Sequence, residues 1–152
     1  MQTRRNFLEL SSLGFAATAL TASGHGLAAS STTNRRIVLA SHPVGKPTTE
    51  NFRLEEVALP ALKRGQILIR TEYLSLDPYM RSRMNATAGY AASVALDNTM
   101  VGGTVGIIEE SRNSNFKEGS RVMAYSGWQS HEVSDGAGVT LLDPRINPPS
   151  YA

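Results

Sequence analysis

From residue 35 onward the chain alternates between short apolar runs and clusters of turn-forming residues. Residues 35–40, Arg-Arg-Ile-Val-Leu-Ala, are β-prone, and the stretch that follows, with Pro43, Gly45 and Pro47, stops them. Residues 52–59 alternate and end at Pro60. Residues 60–65 read as a turn, with Gly65 suited to a positive φ. The clearest strand spans residues 66–74. Its period of two places Ile67, Ile69, Thr71 and Tyr73 on one side and Leu68, Arg70, Glu72 and Leu74 on the other. Asp77-Pro78-Tyr79-Met80-Arg81-Ser82-Arg83-Met84 then predicts one or two helical turns, with Pro78 at the first helical position and Asp77 capping the free N–H groups. Residues 85–98, rich in Ala and Thr, predict a loop. Residues 100–109 predict a strand interrupted by Gly102, Gly103 and Gly106, and shorter strands are expected at 121–125, 128–133 and 139–142. Short strands joined by glycine-rich turns, with no alternation of strand and long helix, predict a mainly β fold: a small, partly open barrel with short helices.

The two ends read differently. Arg4-Arg5 near the start, a weakly apolar stretch over residues 10–22, and Ala28-Ala29-Ser30 give the layout of a bacterial signal peptide over residues 1–29. The arginine pair, preceded by Thr3 and followed by Phe7-Leu8, resembles the twin-arginine export motif, with Glu9 where that motif often carries Lys. Export to the periplasm is expected, or a cytoplasmic location if the signal is not used. The competing reading, an amphipathic helix packed on the body, is weakened by Ser11, Ser12, Thr18 and Thr21. The apolar run is also well short of the roughly 20 residues that span a bilayer, so no stable membrane span is expected. Residues 144–152, with Pro144, Pro148 and Pro149, read as a linker. The domain body is thus expected at 34–143.

With 152 residues, 41% of them hydrophobic and 18% charged, the chain has room for one globular domain. Its net charge of +2 comes from 15 basic and 13 acidic side chains that are scattered along the sequence rather than striped, which argues against nucleic acid as a partner. The absence of cysteine excludes disulfides, thiolate metal sites and a Cys nucleophile. His25, His42 and His131 never fall at ligand spacing, so no metal site is expected.

Dinucleotide binding at a helix N-terminus calls for Gly-x-Gly-x-x-Gly between a strand and a helix. Gly102-Gly103-Thr104-Val105-Gly106 and Gly136-Ala137-Gly138 lack that spacing and read as bulges or close strand contacts. Gly45-Lys46 is followed by Pro47 and is no P-loop. Ser130-His131-Glu132-Val133-Ser134-Asp135 gathers triad residue types, but no Gly-x-Ser-x-Gly elbow precedes any serine, so His131 reads as a hydrogen-bonded strand residue. Tyr79 and Tyr90 have a choice of roles. A phenol is a weak acid on an apolar ring, able to orient a carbonyl oxygen or simply to pack in a core. Trp128, the single tryptophan, is expected to anchor the barrel.

At Tyr73-Leu74-Ser75-Leu76-Asp77-Pro78-Tyr79-Met80-Arg81 the sequence resembles the N-terminal domain of the zinc-independent medium-chain dehydrogenase/reductases, in the branch of prostaglandin/leukotriene reductases and alkenal or curcumin double-bond reductases. Asn34-Arg35-Arg36-Ile37-Val38-Leu39-Ala40, Asn51-Phe52-Arg53-Leu54-Glu55, Gly102-Gly103-Thr104-Val105-Gly106, Gly127-Trp128-Gln129 and Ser134-Asp135-Gly136-Ala137-Gly138 support it, so the resemblance runs from residue 34 to 152. It implies a GroES-like barrel forming one wall of an active-site cleft. The implied activity is NADP-dependent reduction of the C=C bond of α,β-unsaturated aldehydes or ketones, small unsaturated carbonyls being the substrate. Tyr79 is implied beside substrate and nicotinamide, Tyr90 in the substrate pocket, and Asp77 and Pro78 as the supporting turn. Relatives continue into a Rossmann domain and then return to complete the barrel. The expectation is therefore an incomplete barrel, with NADP(H) bound by the full-length family and not by this chain alone. On this reading the chain is the substrate-side half of an oxidoreductase, completed by a partner chain or forming a homo-oligomer; the alternative is a non-catalytic GroES-like binding module or inactive remnant.

Overall fold

The computed structural model describes residues 33–87, 89 and 91–151. The predicted leader with Arg4 and Arg5, and Tyr90, lie outside the described residues. Alternating residues in the first two runs make a ribbon: β1 (Thr33–Leu39) pairs antiparallel with β2 (Phe52–Ala58), from Thr33 opposite Ala58 to Leu39 opposite Phe52. The outer edge of β1 is used as well. The Ile37 N–H donates to the Trp128 carbonyl at 2.8 Å, the Leu39 N–H to Asn98 at 3.1 Å, and the Ile37 carbonyl accepts from Met100 at 2.9 Å. These bonds tie the ribbon to a second, five-stranded sheet.

That sheet has the order β6-β3-β4-β5-β7, with every neighbouring pair antiparallel. Its strands are β3 (Ile67–Leu74), β4 (Thr104–Ser111), β5 (Arg121–Ala124), β6 (His131–Ser134) and β7 (Thr140–Leu141). The one α-helix among the described residues, α1 (Tyr79–Arg83), lies between β3 and β4. The fold is mainly β, as expected, and its two sheets stay open rather than closing into a barrel.

Two apolar clusters hold the sheets. Ile67, Ile69, Ile108, Val122 and Ala124 gather on one face of the larger sheet under Phe116 and Val139. Leu39, Met80, Met84, Val94 and Met100 join β1 to α1, with Phe52, Tyr79, Val101 and Trp128 packed around them. Full burial of each large side chain contributes about 1.5–3 kcal/mol. The Trp128 ring stacks on Phe52 with centroids 5.5 Å apart, which joins the start of β2 to the segment between β5 and β6.

The structure moves several predicted boundaries. β4 begins at Thr104 rather than at residue 100, because the Met100 carbonyl accepts from the Trp128 N–H at 2.8 Å and the Gly102 carbonyl from the Gly127 N–H at 3.1 Å. β6 begins at His131 rather than at residue 128, because residues 128–130 bond to β1 instead, the Ser130 N–H donating to Arg35 at 2.8 Å. β3 does not keep the strict two-faced alternation. Its register against β4 shifts between Leu68 and Ile69 and again between Thr71 and Tyr73, and Leu68 is buried along with Ile67 and Ile69.

The helix start also differs. Pro78 is the N-cap rather than the first helical residue, with φ −56° and ψ −32°, and no side chain caps the helix. Asp77 contributes its backbone carbonyl, which accepts the Met80 N–H at 3.1 Å, and leaves its carboxylate elsewhere. Proline supplies a helical φ without needing a hydrogen bond, so this turn forms without a side-chain cap.

Candidate functional site

A cleft of about 380 Å³ opens where the far ends of β3, β4 and β5 come together. Tyr73 and Leu74 come from the end of β3, Ser75 and Asp77 from the turn after it, and Tyr79 from the first position of α1. Gly103, Thr104 and Val105 enter β4, Met123 and Ala124 close β5, and Tyr125 follows. Ser150 lines the cleft as well.

Local bonds fix these walls. The Ser75 N–H donates to the Gly103 carbonyl at 2.9 Å, joining the turn after β3 to the entry of β4. The Ser126 hydroxyl donates to Glu132 Oε2 at 2.6 Å, and Gln129 Nε2 donates to the Ser126 carbonyl at 2.6 Å, which sets the turn that carries Tyr125. α1 is held from outside by Arg81, whose guanidinium donates to the carbonyls of Gly45 (2.8 Å) and Pro43 (3.2 Å). His42 Nδ1 lies 2.9 Å from the Met84 carbonyl at the other end of the helix and donates to it. The proline- and glycine-rich stretch after β1 therefore braces the short helix that presents Tyr79.

Tyr79 is half-buried. It packs on the Met80–Met84 cluster and also forms part of the cleft wall. Asp77 is half-buried in the same cleft, and its carboxylate makes no hydrogen bond among the described residues. Pro78, exposed, lies between them without lining the cleft. The predicted group Asp77, Pro78 and Tyr79 thus resolves into two lining side chains and a backbone spacer. Tyr73, Tyr125 and Gly103, which sequence reasoning did not single out as site residues, lie here too. Tyr125 is 75% exposed and Tyr73 43% exposed. Two large rings so open at one end of a sheet are a signal of a surface that binds something.

Among the described residues that line the cleft there is no Lys, Arg or His. Hydroxyls, aromatic rings and a single carboxylate remain, a set suited to a neutral, partly apolar ligand with a hydrogen-bonding oxygen, and not to a phosphate or pyrophosphate. Nor does α1 offer a dinucleotide cradle, since it is five residues long and follows Asp77-Pro78 instead of a glycine-rich loop. No group of at least three His, Asp or Glu residues is arranged for a metal ion among the described residues. No helix among them is long and apolar enough to cross a membrane.

The serine and histidine at 130 and 131 do meet, outside the cleft. His131 Nδ1 is 3.0 Å from Ser130 Oγ, and Nε2 is 3.3 Å from Glu109 Oε2. The Ser130 hydroxyl also accepts the Arg35 N–H at 2.9 Å and donates to Asn34 Oδ1 at 3.2 Å. It is committed to the junction of β1 and β6 and is not poised as a nucleophile. Glu109 in turn accepts from Arg70 Nε at 2.7 Å, within a charged ladder across the sheet that Glu72 extends to Arg121.

Comparison with known proteins adds to this geometry. The model of a protein family described as the N-terminal domain of oxidoreductase matches residues 35–142. The chain is 46% identical over 119 residues to the NADPH-dependent curcumin reductase of Escherichia coli strain K12, covering 78% of this chain and 34% of that protein. It is 42% identical over 98 residues to prostaglandin reductase 1 of Bos taurus, covering 64% of this chain and 28% of that one. Among solved structures, CurA from Vibrio vulnificus superposes with a TM-score of 0.73 at 48% identity, over 78% of this chain and 35% of its own. CurA solved in complex with NADPH superposes at 0.72, over 77% of this chain and 35% of its own. The chain spans about a third of the length of the curated relatives it matches.

Proposed function

The chain belongs to the zinc-independent medium-chain dehydrogenase/reductases, as the GroES-like N-terminal domain of the curcumin and prostaglandin reductase branch, and from that premise we propose that it forms the substrate-side wall of an NADP-dependent oxidoreductase that reduces the C=C bond of small α,β-unsaturated aldehydes or ketones. The observation that carries this reading is the cleft at Tyr79: apolar rings and hydroxyls, no cation among the described lining residues, and a phenol carried by the first residue of α1 and packed on the Met80–Met84 cluster. Such a surface accepts a conjugated carbonyl compound and has nothing to hold a phosphate.

NADPH, when bound, supplies the hydride that reaches the β-carbon. The residues of this chain orient the acceptor. The Tyr79 hydroxyl donates a hydrogen bond to the carbonyl oxygen, where negative charge develops as the hydride arrives, and stabilises it there. A proton taken from solvent water then completes the saturated product at the α-carbon. Tyr73 and Tyr125 hold the apolar remainder of the substrate and exclude water from one side. The pyrophosphate falls to residues outside this cleft, because the described residues that line it include no Lys, Arg or His. That same feature favours the second reading, a binding module that takes the carbonyl compound without turning it over.

Joining this chain to the remaining two thirds of the E. coli curcumin reductase, in place of that protein's own N-terminal third, separates the two readings. The expected result is NADPH oxidation that depends on an added enone, with Tyr79→Phe lowering kcat about tenfold or more, at least about 1.4 kcal/mol in the barrier. No enone-dependent oxidation would favour the binding module. A Tyr79→Phe rate within about twofold of the parent would remove the hydroxyl from the mechanism. We also propose export by the twin-arginine route through residues 1–29. Substituting both Arg4 and Arg5 by Lys should leave uncleaved precursor in the cytoplasm, and unchanged periplasmic yield would refute this.

A further inference from the structure

The turn that carries Tyr125 is set from outside the cleft. The Tyr125 ring is largely exposed and its hydroxyl makes no hydrogen bond among the described residues, so the backbone of residues 125–127 decides where the ring stands. That backbone is held at Ser126, whose carbonyl accepts from Gln129 Nε2 at 2.6 Å. Gln129 is itself held. Its Oε1 accepts from Asn34 Nδ2 at 2.7 Å, and Asn34 Oδ1 accepts the His131 N–H at 3.1 Å and the Ser130 hydroxyl at 3.2 Å. Asn34 is buried at the second position of β1 and does not line the cleft.

Two side-chain amides thus stand head to tail between two backbone groups, and the backbone dictates their direction. The His131 N–H can only donate, so Asn34 turns its oxygen to it and its nitrogen to Gln129. The Ser126 carbonyl can only accept, so Gln129 turns its nitrogen there and its oxygen to Asn34. One orientation of each amide satisfies all these bonds. Reversing either amide sets donor against donor or acceptor against acceptor, and a buried polar group left unpaired is costly, so the two act as a unit. We propose that Asn34 is a positioning residue for the cleft: through Gln129, 95 residues away in the chain, it fixes the turn that places Tyr125. A second restraint on the turn, the bond from the Ser126 hydroxyl to Glu132 Oε2 at 2.6 Å, holds the side chain of Ser126 and not its carbonyl. The inference rests on the proposed function only in taking Tyr125 as a wall of the substrate cleft.

The test reads the polarity of the amide pair by NMR of the full chain with labelled tyrosine rings. Asn34→Asp keeps the acceptor contacts to Ser130 and His131 and removes the donor, so Gln129 must swing its nitrogen towards the new carboxylate and set its oxygen against the Ser126 carbonyl. The Tyr125 ring signals should shift, while those of Tyr73 on β3 hold their parent positions. Asn34→Asp/Gln129→Lys supplies one ammonium able to donate both to the carboxylate and to Ser126, and should return the Tyr125 signals close to the parent. In the fusion to the remainder of the E. coli curcumin reductase, Asn34→Asp should raise KM for the enone several-fold with kcat little changed, and the double variant should restore it. Unmoved Tyr125 signals in a folded Asn34→Asp chain overturn the inference, because the Ser126–Glu132 bond would then suffice. Signals that stay displaced in the double variant also overturn it, since only a relay through residue 129 is rescued by a change of donor there. If Asn34→Asp alone does not fold, the double variant decides: a folded chain with parent-like Tyr125 signals supports the relay, and an unfolded or displaced one overturns it. An inactive parent fusion removes the proposed function and leaves the NMR comparison to decide this inference.

Discussion

Gly127 and Gly119 share a left-handed backbone, with φ of +77° and +80°, yet they face different surroundings. Nothing lies within 4 Å of a β-carbon built on Gly119, whereas one on Gly127 would press on the Met100 carbonyl oxygen at 2.4 Å. Gly119→Ala should therefore cost about 1 kcal/mol, the penalty for a left-handed L-residue alone. Gly127→Ala adds a clash with backbone that cannot move, because Met100 is already bonded to Ile37 and Trp128, and should cost about 3 kcal/mol or more. Urea denaturation of the two variants against the parent checks the difference; equal losses would show that the Met100 segment yields. Gly127 also follows the turn that carries Tyr125, so its variant should disturb the cleft as well as the fold. At this scale the sequence was informative about Tyr79, through the motif around it. It was silent about the difference between Gly119 and Gly127, because a glycine required only by its φ and one also required by a close approach look identical until their surroundings are known.

The β1–β2 ribbon is held together by charge as well as by its ladder. Arg36 donates to Glu55 Oε2 at 2.7 Å, and Arg53 donates both to Glu55 Oε1 at 2.6 Å and to Asp97 at 2.7 Å. The hydrogen bond from Arg53, and then the one from Arg36, hold the Glu55 carboxyl below the usual carboxylate range. A carboxyl with a lowered pKa in the folded state contributes stability that is present above its unfolded value, about 4.3, and that is lost as pH falls through the folded value. The Arg145 hydrogen bond lowers Asp143 in the same sense. The thermal midpoint should accordingly vary little between neutral pH and about pH 5 and fall below about 4.5. Glu55→Gln should lower the midpoint at neutral pH and flatten the acid limb. An acid limb identical to that of the parent would show that the pairing adds nothing to stability. Strands such as β2 and β3 were legible because their period of two survives in the sequence. The starts of β4 and β6 were not, because residues 100–103 and 128–130 carry strand-like sequence but spend their backbone bonds on β1 and on each other. Such bonds join positions roughly 25 to 95 residues apart, and no local pattern records them.

For the whole molecule, the decisive question is how the cofactor is shared between this domain and the rest of an oxidoreductase. The matched segment is about a third of the length of these relatives, and one of them is solved with NADPH bound. The described residues supply a cleft lined by no cation and a five-residue helix with no glycine-rich approach, so neither the 2′-phosphate nor the pyrophosphate has a counterpart in this cleft. On the proposed function, what remains for this domain is the reactive end, where rings and hydroxyls would meet a neutral nicotinamide and a carbonyl substrate. Affinity for a dinucleotide comes largely from its phosphates, and a cleft lined by no described cation has little with which to hold them. NADPH should therefore bind this chain no more tightly than about 1 mM, worth about 4 kcal/mol, and NMN, which lacks the adenosine half, should do no worse than NADPH. Calorimetric titration of both ligands into the same sample measures the comparison directly. Micromolar binding of NADPH with none of NMN would locate a phosphate site on this domain that the cleft does not contain, and would shift the division of labour from substrate wall towards cofactor holder. Weak and similar binding of the two would place the cofactor's anchoring elsewhere and agree with the proposed role of this domain, shaping and orienting the substrate beside Tyr79.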